Sequence, residues 1–385
     1  MSAIAPQNKA ALILTGGGAR AAYQVGVLRA LSEMLPTKTS VPFPIICGTS
    51  AGSINATILA VDANDFRHAV RRLVTVWKNF HVHYVYRSDL FGTFRNSARW
   101  IYAALRGGRL RPGSEQTVSL LDNAPLAALL KQHVDFDGIQ RNIDSGHLTA
   151  LSITCSGYTS GQSVTFYQGQ PDLQNWQRAR RIGVAMPITL DHLLASSALP
   201  FIFPPTRINR EYFGDGSMRQ IAPVSPALHL GADRLLVIGV GRQLQHNADR
   251  VQSTAYPTLA QIAGHALNSI FLDSLEVDLE RLQRINRTIE LIPEVVRAQT
   301  NYPLHRVDFR VLTPSIDLEK IAAQFSDDLP ATIRTLLSSV GGTKKSGSNL
   351  LSYLLFEKAF CRELLKLGYA DTMARQEDLS AFLGW

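Results

Sequence analysis

The chain has 385 residues, 45% of them hydrophobic and 18% charged, with a net charge of +8. That balance excludes a disordered chain and supplies apolar material for one large core or two moderate ones. Three cysteines, Cys47, Cys155 and Cys361, are too few and too scattered for a disulfide framework, so a reducing, cytoplasmic setting is expected.

Lys9 precedes a short apolar run, residues 10–14, that stops at Thr15-Gly16. The run is too short for a signal-peptide core or a membrane span, so any contact with lipid is expected to be peripheral. From Arg20 the positions Ala21, Ala22, Val25, Leu28, Leu31 and Leu35 follow helical spacing up to Pro36, giving strand, glycine loop, helix. Successive N–H groups of Gly16, Gly17 and Gly18 can converge on one concave site backed by a helix dipole, suited to an oxyanion or to a phosphate. The next glycine is Gly26, deep in the helix, so dinucleotide G-x-G-x-x-G spacing is missing. No Gly-Lys-Ser/Thr follows to make a P-loop either.

The same order repeats from Phe43 to Cys47, through Gly48-Thr49-Ser50-Ala51-Gly52, into a helix over 53–61. A G-x-S-x-G between strand and helix makes Ser50 a candidate nucleophile, because the elbow glycines Gly48 and Gly52 let the backbone turn sharply and expose the hydroxyl. Two adjacent strand-turn-helix units predict a mostly parallel α/β sheet.

Between Asp65 and Arg111 there are ten cations, from Arg67 through Arg87 and Arg95 to Arg111, against only Asp65 and Asp89. Aromatics such as Trp77, Phe80, Tyr84, Phe91 and Trp100 are interleaved with them. Segment 65–111 suits an anionic membrane surface; the same composition suits nucleic acid, and the ordinary reading is a solvated basic helix whose aromatics enter the core. His81-x-His83 lacks further ligands at useful spacing, so no metal is expected.

Strands are predicted over 148–155, 163–167, 206–208 and 235–240, with a helix over 190–197 among them. The stretch from Ala195 through Pro200 to Pro204-Pro205 is apolar and proline-stiffened, and leads to Phe213-Gly214-Asp215-Gly216-Ser217. An aspartate between glycines can approach another backbone closely, which makes Asp215 the candidate base; alone, Asp-Gly is also a common surface turn. A Ser-Asp-His triad would need a histidine after Asp215, but His229, His246, His265 and His305 lie in unmarked sequence and are read as ordinary. Beyond Gln243 follow an amphipathic helix over 257–287, a strand over 307–312, helices over 330–340, 350–367 and 373–382, and a glycine-serine connector at 341–348. Residues 9–243 are therefore expected to form the catalytic domain, and 244–385 a mainly helical extension packed on it.

Taken together, Gly16-Gly17-Gly18 with Arg20, the Ser50 elbow, the run from Ala195 to Pro205 and Asp215-Gly216 occur in the order found in the patatin-like phospholipases, which this chain resembles over Lys9 to Val240. The resemblance implies a three-layer α/β/α sandwich and a Ser-Asp dyad without histidine or cofactor. In it Ser50 attacks a lipid ester, Asp215 accepts the proton, and the loop Gly16, Gly17, Gly18 and Arg20 serves the oxyanion hole, the Gly17 and Gly18 N–H groups holding the oxyanion and Arg20 buttressing the loop. Ala21 departs from the family pattern, which has glycine there. The expected function is a phospholipase A- or lysophospholipase-like lipid acyl hydrolase working at a membrane surface, with no nucleic-acid partner; the competing expectations are a lipid-binding or transfer protein that uses the same pocket without hydrolysis, and a nucleotide-binding regulator.

Overall fold

The computed structural model describes residues 9–87, 119–241, 256–293, 295–296, 305–339 and 348–385. Its first half runs β1 (Ala10–Leu14), α1 (Ala22–Met34), β2 (Ile45–Thr49), α2 (Ala51–Val61), α3 (Phe66–Lys78), α4 (Ala124–His133), α5 (Asp137–Asp144), β3 (Ala150–Gly157) and β4 (Ser163–Gly169). There follow β5 (Trp176–Arg178), β6 (Arg181–Ala185), α6 (Leu190–Ser196), β7 (Thr206–Ile208), β8 (Glu211–Asp215), α7 (Ser225–His229) and β9 (Arg234–Ile238). The last third adds α8 (Leu259–Asn268), α9 (Ser274–Glu290), β10 (Asp308–Leu312), α10 (Leu318–Ala322), α11 (Ala331–Ser339), α12 (Ser348–Leu354), α13 (Lys358–Met373) and α14 (Gln376–Leu383).

The strands form one mixed sheet in the order β10-β9-β1-β2-β3-β4-β6-β5, with β8 and β7 attached to β3. Pairing is parallel from β10 through β3 and between β4 and β6; β3–β4, β5–β6, β3–β8 and β7–β8 are antiparallel. The central strands β1, β2 and β3 are buried along their whole length because both faces are covered. Side chains alternate across the pleat, so Leu12, Leu14 and Ile46 enter a core shared with α1, α2 and α3, whereas Ala11, Ile13, Ile45 and Cys47 enter a second core with α7 and α9. This is the mostly parallel three-layer α/β/α arrangement expected from the sequence.

Chain beyond residue 243 takes part in that architecture. Strand β10 pairs with β9 from Asp308↔Arg234 to Leu312↔Ile238, and α13 lies against α1. There Gly26 and Gly368 let the helices touch: a Cβ at Gly26 would stand 2.2 Å from the Leu365 carbonyl oxygen, and one at Gly368 would stand 2.2 Å from that of Tyr23. The glycine that breaks dinucleotide spacing thus serves helix packing.

Three local differences from the sequence reading have physical causes. The edge hairpin β5–β6 has no sequence signal, because its turn carries Arg180 at φ 58 without the glycine or asparagine that marks such turns. Residues 350–367 are two helices rather than one: Glu357 is extended, and its carboxylate takes the Val82 N–H (3.2 Å) and pairs with His81 (2.9 Å). The amphipathic stretch over 257–287 is continuous but holds a π-helical turn at Ser269–Asp273, which carries the buried Phe271 toward the glycine loop.

Candidate active site

Strand β3 brings the two candidate catalytic residues together. Strand β2 runs parallel to it up to the pair Thr49↔Thr154 and then leaves the sheet into Ser50. The next β3 residue, Cys155, pairs with Asp215 at the end of β8. The opposite edge of β3 is occupied there by β4 through Cys155↔Val164 and Ser156↔Ser163, so β8 takes up the edge that β2 vacates. Residues far apart in sequence thereby follow each other along one strand edge.

Ser50 sits at φ 54, ψ −132, a conformation an L-residue holds only when its surroundings enforce it. Hydrogen bonds on both sides of the residue do so. The Ser50 N–H donates to Ser196 Oγ at 2.9 Å, whose hydroxyl donates to the Thr154 carbonyl at 2.7 Å. The Ser50 carbonyl accepts from the Ser53 N–H (2.8 Å) and hydroxyl (2.6 Å). A Cβ at Gly48 would lie 2.5 Å from Ser53 Cα, and one at Gly52 would lie 2.4 Å from the Leu14 carbonyl oxygen; both elbow glycines are therefore dictated by backbone approach.

Asp215 is fully buried. Its Oδ1 accepts the Ser217 N–H at 2.9 Å, and its own N–H donates to the Ala198 carbonyl at 2.9 Å. Oδ2 has no well-formed hydrogen bond, although the Ser50 hydroxyl stands near enough to stabilise the carboxylate. Burial outweighs that help and the Ser217 contacts, and pushes the Asp215 pKa up to about 6. The following glycine is again a matter of room, since a Cβ at Gly216 would fall 2.1 Å from the Thr154 carbonyl oxygen.

The glycine loop faces the same place. Gly18, at φ 55, lines a cavity together with Ser50, and among the described residues no backbone carbonyl accepts the Gly17 or Gly18 N–H. Ala21 is buried, with its carbonyl taken by Asn55 Nδ2 at 3.3 Å. Asn55 Nδ2 also donates to Gln24 Oε1, whose amide donates to the Thr15 carbonyl, so buried amides brace the loop from beneath. The Arg20 guanidinium is directed into the C-terminal third: Nε donates to Ser352 Oγ and Nη2 to Asn349 Oδ1, both at 2.8 Å.

The cavity measures about 550 Å³ and extends from Ser50 between α2, α3 and α4. Ile54, Ile58, Leu73, Trp77, Leu130 and Phe203 are among its walls, and its size suits one small-molecule ligand. His68, Arg71 and His133 stand at its exposed margin.

Of the four histidines considered as third triad members, His229 stacks on Trp176 at 4.9 Å and its Nδ1 lies 2.8 Å from the Ser225 carbonyl, on the sheet face away from the cavity. His265 and His305 are exposed, and His246 lies outside the described residues. His81 and His83 stack on each other in a short 3₁₀ turn rather than a strand. Among the described residues no group of side chains could hold a metal ion.

In the basic segment, Trp77, Phe80 and Tyr86 are buried in the core. Arg67 caps the Ser32 and Leu35 carbonyls, and Arg72 pairs with Asp62; Arg71, Lys78 and Tyr84 remain on the surface. Phe91, Arg95, Trp100, Arg111 and the rest of 88–118 lie outside the described residues. Among the described residues no helix is long and apolar enough to cross a membrane. Sequence reasoning did not single out Ser196, Gln24 and Asn55 as supports, because their roles arise from contacts across elements and leave no spacing signal.

A doubly covered, mostly parallel sheet whose second strand ends in a strained serine turn beside an apolar cavity makes the chain a three-layer α/β protein of strand–serine turn–helix design. Within that class the chain belongs to the patatin-like phospholipase family, whose model matches residues 12–228. Two solved structures of human GIVD cytosolic phospholipase A2 in complex with methyl gamma-linolenyl fluorophosphonate, one also holding terbium chloride, are similar over 98% of this chain. They share 14% and 15% identity with it at TM-scores of 0.41 and 0.40. The chain covers 58% and 59% of theirs, less than two thirds of their length. No curated protein matches the chain.

Proposed function

We propose that this protein is a lipid acyl hydrolase that cleaves carboxylic esters through Ser50 and Asp215. The observation that carries the reading is the meeting of a strained serine, a buried carboxylate of raised pKa and an apolar cavity at one strand end. As Ser50 Oγ attacks the acyl carbonyl carbon, its proton passes to Asp215 Oδ2, and the oxyanion is held by the Gly17 and Gly18 N–H groups. Collapse expels the alcohol, which leaves with the proton from Asp215. Water then attacks the acyl-enzyme, giving a proton to Asp215; release of the fatty acid returns that proton to Ser50. A fluorophosphonate is expected to label wild type at Ser50, read by peptide mass, and to leave Ser50→Ala unlabelled. Wild type that is neither labelled nor able to turn over a medium-chain ester ends the reading.

Substrates of this kind present themselves at a lipid–water boundary. The surface cations of α3, Arg71 and Lys78, support docking on an anionic membrane, as do the further arginines of 88–111 in the sequence. Co-sedimentation with vesicles containing phosphatidylserine is expected to exceed that with neutral vesicles several-fold and to weaken with salt. Equal binding to both would remove the membrane from the proposal.

A further inference from the structure

Three consecutive glycines offer no side chains to fix their own conformation, and each has unusual backbone freedom. An oxyanion site needs the opposite, because donors contribute most when held in place before charge develops. Besides Ser217, Gln24 and Asn55, the loop from Gly16 to Gly18 takes that fixity from residues beyond 228, outside the family match. Gly16 lies between Ser217 and Phe271, where a Cβ would come within 2.5 Å of the Ser217 hydroxyl and 2.7 Å of the ring, Gly17 lies against Val240 (2.3 Å), and Gly18 lies against the Tyr353 carbonyl, where a Cβ would come within 2.3 Å. Phe271 and Tyr353 are themselves stacked at 5.1 Å.

Arg20 anchors the assembly. It is 2% exposed, and each hydrogen bond from its guanidinium goes to this distant segment: Ser352 Oγ and Asn349 Oδ1 as above, and Asn268 Oδ1 at 3.4 Å. Glu319 lies at 3.7 Å and the Tyr353 ring at 4.0 Å from the guanidinium. The cradle is closed on itself, since Tyr353 Oη donates to Asn268 Oδ1, Asn268 Nδ2 to Glu319 Oε1, and Ser352 Oγ to the Asn349 carbonyl. A planar fork meeting acceptors in several directions is what arginine provides and lysine does not. The Arg20 backbone N–H meanwhile donates to the Gly17 carbonyl at 3.1 Å, so fixing the side chain fixes the turn that aims the Gly17 and Gly18 N–H groups.

We infer that Arg20 is a positioning residue and that Asn268, Phe271, Asn349, Ser352 and Tyr353 are the template for the glycine loop, making these residues of the C-terminal third a working part of the catalytic site. The inference rests on the Ser50–Asp215 reading. Its test is turnover per titrated active site, with labelled Ser50 counted by fluorophosphonate, in Arg20→Lys, Asn349→Ala and Ser352→Ala of the full chain. The expected result for Arg20→Lys is a kcat per labelled site lower by roughly 10–100-fold with KM nearly unchanged, because a misplaced donor weakens the transition state more than the ground state. Several-fold losses are expected in the two cradle variants. The acid limb of the pH profile stays where it is in wild type, since Asp215 is untouched. A merely structural arginine would lower the number of labelled sites and leave turnover per site at the wild-type value; that result in all three variants overturns the inference. Should Arg20→Lys fail to fold, Asn349→Ala and Ser352→Ala decide the question from the cradle side. Failure of wild type to label at Ser50 removes instead the reading beneath it, and the inference with it.

Discussion

Asp215→Asn is expected to lower ester turnover by roughly 10³–10⁴-fold, the scale set by loss of a catalytic base, while raising the melting temperature by a few degrees. The two effects have one cause. Burial lifts the Asp215 pKa to about 6 in the folded protein, above its value of about 3.9 in an unfolded chain. The native state thus holds this proton more tightly than the unfolded state. The resulting stabilisation is fully present below about pH 4 and is lost as pH rises through about 6. At pH 7–8 the ionised carboxylate therefore costs on the order of 3 kcal/mol, from about two pKa units at about 1.4 kcal/mol each. Asparagine removes the charge and keeps an oxygen for the Ser217 N–H, now met at 2.9 Å by Oδ1. A gain of about 1–3 kcal/mol at pH 8, shrinking toward pH 4, is expected in chemical denaturation. On the proposed mechanism the same ionisation sets the wild-type rate: kcat/KM is expected to rise about tenfold per pH unit below about 6 and to level above it, as the base form fills. Turnover by Asp215→Asn within about tenfold of wild type would remove Asp215 from the mechanism. Loss of stability in this variant at pH 8 would show that its charge is compensated by contacts other than those described.

What the sequence disclosed here is what local chemistry can encode. The elbow glycines flanking Ser50, the glycine after Asp215 and the loop glycines were visible because each sits where an ideal Cβ would meet another atom at 2.1 to 2.5 Å, and glycine alone tolerates that. The parallel core was visible because β1, β2 and β9 are apolar over most of their length, as strands covered on both faces must be. The juxtaposition of Ser50 with Asp215 left only the trace of motif order; it depends on β3 carrying β2 on one length of its edge and β8 on the next, a register that neither strand specifies alone. Arg20 shows the limit most sharply. Its position beside the glycines led to an expected buttressing role in the oxyanion loop, but not to its partners, which lie 248 to 332 residues away. No spacing rule covers such contacts: Asn349 and Ser352 sit on a short helix whose own periodicity reports only its burial. The aromatics of the basic segment illustrate the converse, since Trp77, Phe80 and Tyr86 satisfy both the interfacial and the core reading until their burial is seen.

Ile58→Trp is expected to lower the palmitoyl-over-butyryl ratio of ester turnover about 10²-fold. Helix α2 begins beside Ser50 and carries Ile54 and Ile58 along one wall of the cavity. About eight residues at about 1.5 Å rise place Ile58 about 12 Å from the nucleophile, in the part of the cavity that only a longer chain reaches. A short acyl group, such as butyrate, occupies the end near Ser50, Leu199 and Phe203 and is indifferent to what stands at position 58. A palmitoyl chain gains from each methylene it removes from water, about 0.8 kcal/mol apiece. An indole that displaces about four of them costs roughly 3 kcal/mol, or about 10²-fold in kcat/KM. The substitution points a larger side chain into open volume, so overpacking is limited to neighbours such as Leu73 and Leu130, at about 1–3 kcal/mol of stability at most. The comparison that decides is the ratio of kcat/KM for palmitoyl over butyryl p-nitrophenyl esters, in which protein loss and active-site titre cancel. An unchanged ratio would mean that the acyl chain does not lie along α2, and that the cavity serves the leaving group or no part of the substrate.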